Sequence, residues 1–232
     1  METRLQGDVT FDIYRSAFVN AIRKTLESNP LRSLDEAAFP AYSHPNKIIN
    51  WVYWTRLRSV MKAIRQFGRI CTAFDFGCGS GVLLPFLGQR ADKVIGADLD
   101  LAPVKQIQDH IKFPENISFV DLNVHPLETL ETESVDLITA LNVLEHLEES
   151  EKTIDILYGM LKPGGIMVVS LPKENKIYNL ARKIAGKEFT GDYHETTYSD
   201  VERYCRQKGP LTDIVKHFPF NLVFRIFYLN KE

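Results

Sequence analysis

The sequence predicts an α/β protein built on an open, mostly parallel, doubly wound sheet of seven strands that ends in an antiparallel strand. Three observations carry this. From residue 70 onward, short apolar runs alternate with segments of helical period, the pattern of parallel strands joined by right-handed crossovers. A glycine-rich stretch, Gly77-Cys-Gly-Ser-Gly81, separates the apolar run Ile70–Phe76 from a second apolar run, which reads as strand, tight loop and helix. Near the end, Asp213–Phe218 and Leu222–Leu229 flank a Pro219-Phe-Asn221 turn, and a pair joined so tightly must be antiparallel.

Before residue 70 the chain reads as helical. Phe11, Tyr14, Phe18, Ala21, Ile22 and Leu26 recur at helical spacing over Phe11–Leu26, with Pro30 beyond as a stop. A second helix is predicted from about Asn46 to Phe67, with Tyr53, Leu57, Val60, Met61, Ile64 and Phe67 inward and Lys47, Arg56, Arg58, Lys62 and Arg65 on a solvated face. Residues 1–69 are thus expected to form a helical cover segment and residues 70–232 the main domain, together one compact unit. In the main domain the expected strands are Lys93–Asp98, Asn116–Asp121, Ser134–Leu141 and Ile166–Leu171, with helices over Leu101–Ile111 and Ser150–Leu161. Lys162-Pro-Gly-Gly165 is expected to turn the chain into the fifth strand. A polar excursion fills Pro172–Thr197, and Ser199-Asp-Val-Glu202 reads as a capping box opening the next helix.

Composition narrows the function. The 232 residues are 44% hydrophobic, enough for a full core. With 28 basic and 30 acidic residues there is no general polyanion-binding surface, so a nucleic-acid partner is disfavoured. Three cysteines, Cys71, Cys78 and Cys205, have no metal-ligand spacing and suit a reducing compartment. No apolar run reaches membrane-spanning length and the N-terminus lacks the apolar segment of a signal peptide, so a cytoplasmic protein with no membrane partner is expected. Oligomeric state is not legible.

The glycine loop excludes two ligand classes. Counting from Gly77 puts Val82 at the third glycine position of the dinucleotide fingerprint, and counting from Gly79 puts Leu84 there, so neither frame fits. No Lys-Ser/Thr pair follows to hold a nucleoside triphosphate. What the loop can do is admit a ligand close to its backbone, with a helix behind it that turns free N–H groups toward the ligand.

The stretch Asp75-Phe-Gly-Cys-Gly-Ser-Gly81 resembles the first motif of the class I S-adenosylmethionine-dependent methyltransferases, whose sheet is a Rossmann-like fold with an added antiparallel strand. The resemblance covers roughly residues 70–229, because further elements follow in order. It implies S-adenosylmethionine as cofactor, with Asp75, Gly77, Cys78, Gly79 and Gly81 around its methionine end and ribose. Asp98, 21 positions past Gly77 at the end of the second strand, can accept from both ribose hydroxyls, with Leu99 beside it. Asp100 has a cap position available instead. Asp121 and Leu122 resemble the adenine-binding pair, and Leu141 and Asn142 close the fourth strand on the same side.

Leu144-Glu-His146 narrows the resemblance to small-molecule methyltransferases of the ubiquinone-biosynthesis O-methyltransferase type. Members of that group can hold a divalent metal through a glutamate three residues before the Glu-His pair. Asn142 stands there in this chain, so no metal is expected. The reaction implied is transfer of a methyl group to the oxygen or nitrogen of a small-molecule acceptor. A base is needed only if the acceptor is a hydroxyl, and His146 and His194 are the candidates, each set against a purely structural or surface role. Tyr42, His44 and Trp51 are possible pocket residues, with core packing the alternative for Trp51. The rival readings are a methyltransferase acting on protein or RNA and a cofactor-binding protein without transferase activity.

Overall fold

A computed structural model describes residues 3–4, 10–28, 42–173, 195–215 and 220–232, with only the backbone of 3–4 and 220. Helix α1, Phe11–Ser28, buries Tyr14, Ala17, Phe18, Ala21, Ile22 and Thr25, close to the face that its period predicts. Helix α2, Lys47–Ile64, starts where Asn46 Oδ1 accepts from the Ile48 N–H at 2.9 Å. Two of its residues reverse expectation. Trp51 is 47% exposed, and Trp54 takes the core place, donating Nε1–H to the Tyr42 carbonyl at 3.0 Å. Arg56, expected on the solvated face, is 4% exposed.

The strands are β1, Thr3–Arg4; β2, Ile70–Phe76; β3, Ala91–Asp98; β4, Ile111–Lys112; β5, Ile117–Asp121; β6, Val135–Leu141; β7, Leu161–Pro172; β8, Thr212–Asp213; and β9, Phe224–Asn230. Between them lie α3, Leu84–Gly88; α4, Ala102–Gln108; α5, Ser150–Met160; α6, Tyr198–Lys208; and α7, Phe220–Val223. The main sheet has seven strands in the order β5-β3-β2-β6-β7-β9-β8, parallel except for β9 against both β7 and β8. β1 and β4 form a separate parallel pair. Residues alternate between two cores along a strand: Val168 joins the core under α1 and α2, while Met167 and Val169 join the core under α5 and α6.

Three sequence expectations shift. The Lys162–Gly165 turn is absorbed into β7 as an irregularity, where pairing with β6 jumps from Val135↔Leu161 to Leu137↔Ile166 and Gly164 takes φ +77°. The cap of α6 lies two residues earlier than Ser199, at Thr197, whose hydroxyl accepts from the Asp200 N–H and donates to Asp200 Oδ2. Glu202 is drawn away to Arg225, at 2.7 and 2.9 Å. The terminal strands are antiparallel as expected, but β8 is only two residues long and the chain re-enters through α7 rather than a bare turn. No helix among the described residues is long and apolar enough to cross a membrane.

Candidate active site

Strand order reverses between β2 and β6, and the carboxyl ends of these strands and their neighbours form one edge where an open α/β sheet takes its ligands. The loop after β2 is built from left-handed backbone: φ is +67° at Gly77, +50° at Gly79 and +69° at Gly81. A Cβ on Gly77 would lie 2.5 Å from Val143 Cγ2, and one on Gly81 would lie 2.6 Å from Val104 Cγ2. Glycine is therefore required at both for conformation and for space. The loop spends its own N–H groups inward. Gly77 and Cys78 both donate to the Ala97 carbonyl, at 2.9 and 3.1 Å, and Gly81 donates to the Cys78 carbonyl at 2.8 Å. Helix α3 is a turn long and starts only at Leu84, so the expectation of a helix end aimed at the ligand gives way to a loop that supplies room.

The charged residues of this half sit around that loop. Asp98 Oδ2 accepts from the Gly79 N–H at 2.7 Å and Oδ1 from the Asp100 N–H at 3.2 Å, so each oxygen retains a lone pair. Asp100 Oδ1 accepts from the Ala102 N–H at 2.8 Å, the first N–H of α4, although the cap position itself is Leu101, one residue on. Asp121 uses Oδ1 for the Asn123 N–H and Nδ2–H, at 2.9 and 3.0 Å. Asn123 Nδ2–H also reaches the Leu99 carbonyl at 2.6 Å, and the Leu122 N–H donates to the Asp98 carbonyl at 3.0 Å, tying the ends of β3 and β5 together. The Leu99 side chain is 61% exposed beside them.

Asp75 and Cys78 lie beneath the loop. Thr139 Oγ1–H donates to Asp75 Oδ1 at 2.5 Å, and the carboxylate is buried. Burial pushes its pKa up to about 7; the Thr139 bond opposes the rise and the nearby Asp98 charge adds to it. The Cys78 thiol is buried beside Gly96, and burial raises its pKa.

The other half of the edge is assembled from distant segments. Asn142, at the end of β6 after Leu141, holds φ +59°, which is uncommon outside glycine but tolerated by asparagine. Its Oδ1 accepts from Arg56 Nη1 and from Ser170 Oγ–H, the latter at 3.0 Å. Arg56 also donates from Nη2 to the Tyr42 hydroxyl at 2.7 Å, and its guanidinium lies 5.2 Å from the ring centre of Phe224 and 5.3 Å from that of Tyr53. Its Nε–H has no acceptor, and no carboxylate pairs with it among the described residues. The sequence did carry a signal for this residue: Arg56 falls three after Tyr53 and four before Val60, on the apolar stripe of α2.

Glu145 is buried, while the His146 side chain is 45% exposed and its Nε2 lies 4.0 Å from Glu145 Oε1. The Glu145 carbonyl accepts from the N–H groups of Glu195 and Thr196, at 3.0 and 3.2 Å, which brings the end of the 172–197 excursion back to the Leu-Glu-His element. His194 and residues 174–193 lie outside the described residues. Tyr42 reaches the site through Arg56, whereas His44 Nδ1 accepts from the Asn46 N–H at 3.0 Å in a local turn. Among the described residues no three His, Cys, Asp or Glu side chains gather as a metal site.

Residues 74–169 match the family described as a methyltransferase domain. Over that segment the chain is similar to the class I S-adenosylmethionine-dependent methyltransferases. The chain is 33% identical over 117 residues to the ubiquinone biosynthesis O-methyltransferase of Pseudomonas entomophila, a match covering 50% of each chain. It thus spans about half the length of that relative. Among solved structures it is similar to the N-methyltransferase NodS from Bradyrhizobium japonicum WM9 in complex with S-adenosyl-L-homocysteine, with TM-score 0.58 and 17% identity over 93% of this chain and 98% of that one. It is also similar to the [4+2]-cyclase SpnF, with TM-score 0.56 and 15% identity over 77% of this chain and 80% of that one. At such identities the likeness establishes the fold alone, and chemistry resides in the site.

Proposed function

We propose that the protein transfers a methyl group from S-adenosylmethionine to the oxygen or nitrogen of a small-molecule acceptor. The observation that carries this is one edge of the sheet on which a buried cation, two carboxylates with open acceptor positions and a loop with no room for a Cβ all meet. That set matches a zwitterionic nucleoside. Asp98 would take the ribose hydroxyls with its remaining lone pairs, and Asp121 Oδ2 and Leu122 the adenine. Gly77, Gly79 and Gly81 give the backbone clearance, and Leu141 and Asn142 close the far side. Arg56 would take the amino-acid carboxylate, because a guanidinium buried without a carboxylate is costly and an anionic ligand relieves that cost.

When bound, the cofactor supplies a methyl group already activated by a sulfonium, so the protein's share is alignment and exclusion of water. His146, partly exposed at the end of the β6 loop, can take a proton from a hydroxyl acceptor. His194 keeps the same role as a proposal. The Arg56 guanidinium on Asn142 Oδ1 supports a mechanism without metal, since it sets a cation where a relative's metal-binding glutamate would stand. Methyl-labelled S-adenosylmethionine and pools of phenols, amines and carboxylates test the reading. Label should enter a small molecule, and label found only in protein or RNA, or in nothing, would favour one of the two rivals.

A further inference from the structure

Next to the Arg56 cluster, beyond the carboxyl end of β7, lies a cavity of about 510 Å³ lined by Lys173, Tyr198, Glu202, Asp213, Phe224 and Arg225, among others. It is partly open to solvent with a mainly polar lining, and its volume lies within the range of small-ligand sites. Its charges are unevenly spent. Arg225 is held by Glu202 through Nε and Nη2, at 2.7 and 2.9 Å, and by Asp213 through Nη1 at 2.7 Å. Arg206 adds a further contact to Glu202 at 2.6 Å. Both carboxylates are therefore committed, and the Glu202 pKa is held down chiefly by Arg225. Lys173 shares the same wall yet pairs with neither. Among the described residues its ammonium meets only the Tyr198 ring, 6.0 Å from the centroid, while its N–H is fixed to the Val223 carbonyl at 2.8 Å. Among the described residues, Arg225 and Arg206 thus match the two carboxylates, and the Lys173 ammonium has no carboxylate partner.

Phe224 connects this cavity to the proposed cofactor site. It pairs with Pro172 at the end of β7, its ring stacks under Arg56, and it also forms part of the cavity lining. We propose that this cavity is the acceptor subsite and that it takes an acceptor bearing a carboxylate or phosphate, with the anion on Lys173 and a flat apolar body against Phe224 and Tyr198. The proposal rests on the methyltransferase reading for the word acceptor and on the Lys173 ammonium, unpaired with any carboxylate among the described residues, for the anion. The Glu202–Arg225–Asp213 group, balanced by Arg206 on Glu202, acts as a fixed wall because its charges satisfy one another.

Ligand-observed NMR on the full chain saturated with S-adenosylhomocysteine tests this, with benzoate and phenyl phosphate as anionic probes and benzamide as the neutral control. Benzoate or phenyl phosphate should bind at least about tenfold more tightly to the wild type than to Lys173→Met, and Lys173→Arg should restore the binding. Whichever anion binds more tightly identifies the acceptor's charged group. Benzamide should not distinguish the variants. Anionic probes that bind Lys173→Met undiminished, or no more tightly than benzamide, overturn the subsite. A separate titration of the wild type with S-adenosylhomocysteine isolates the underlying reading: no binding there overturns the methyltransferase function and the acceptor subsite together, whereas normal binding with failed anion selectivity overturns the subsite alone.

Discussion

The two halves of the carboxyl edge are made differently. On the side of β2, β3 and β5, the site is backbone-deep and short-range: a loop of left-handed glycines, a carboxylate 19 positions from the N–H it accepts, and turns closed by their own side chains. On the side of β6 and β7, it is held by side chains from remote segments, with Arg56 reaching Asn142 across 86 positions and Phe224 arriving from the far end of the chain. The first half is fixed as soon as the strands pair. The second exists only once α2 has docked, so perturbing it should change ligand preference more readily than the fold.

The largest expected effect is on the first half. Gly77→Ala forces a Cβ to within 2.5 Å of Val143 at φ +67°, where only glycine is comfortable. It should cost about 2–4 kcal/mol of stability and abolish binding of S-adenosylhomocysteine. Denaturant midpoints together with a binding titration check this, and a stable, binding-competent variant would mean that the loop does not set the site.

Arg56→Met should have an intermediate and more selective effect. Because an apolar chain of similar length replaces a buried cation, the fold should hold or gain slightly, while affinity for S-adenosylhomocysteine falls by about tenfold or more. Affinity for methylthioadenosine, which lacks the carboxylate, should not change. Equal losses for both ligands would assign Arg56 a scaffolding role.

Asp75 should have the smallest effect on ligand preference, acting instead on the pH dependence of stability. Its pKa in the fold, about 7, lies above the ordinary carboxylate value, so the folded state holds a proton that the unfolded chain releases from about pH 4 upward. Its contribution is therefore fully present below that point, declines as pH rises to about 7, and stays lost above. Asp75→Asn removes this term, so the stability difference, variant minus wild type, should be more positive at pH 8 than at pH 4, by up to a few kcal/mol. A difference that does not vary with pH would show that Asp75 is ionised throughout.

The contrast between the halves also explains what could be read in advance. Strand runs, the glycine loop and the carboxylates at strand ends are written in contiguous residues whose period and spacing are visible, and the fold class followed from them. Arg56 was visible only as a lapse in the apolar stripe of α2, and basic residues on neighbouring faces hid it. The Thr197 cap was obscured by a better-looking Ser-x-x-Glu two residues on, because nothing local shows that Glu202 would be claimed by Arg225, 23 positions away. Composition does not say which of Trp51 and Trp54 is buried, and docking against Tyr42 selects Trp54.

Asp98 is the residue on which the proposed cofactor site turns, since its carboxylate both accepts from the Gly79 N–H and faces the proposed ribose. Calorimetric titration of the wild-type chain with S-adenosylhomocysteine should give a saturable one-to-one isotherm, and Asp98→Ala should weaken it by at least about tenfold, or 1.4 kcal/mol, with the unfolding midpoint monitored in parallel. An absent isotherm in a folded wild type, or an affinity unchanged by the substitution, would contradict the proposed site.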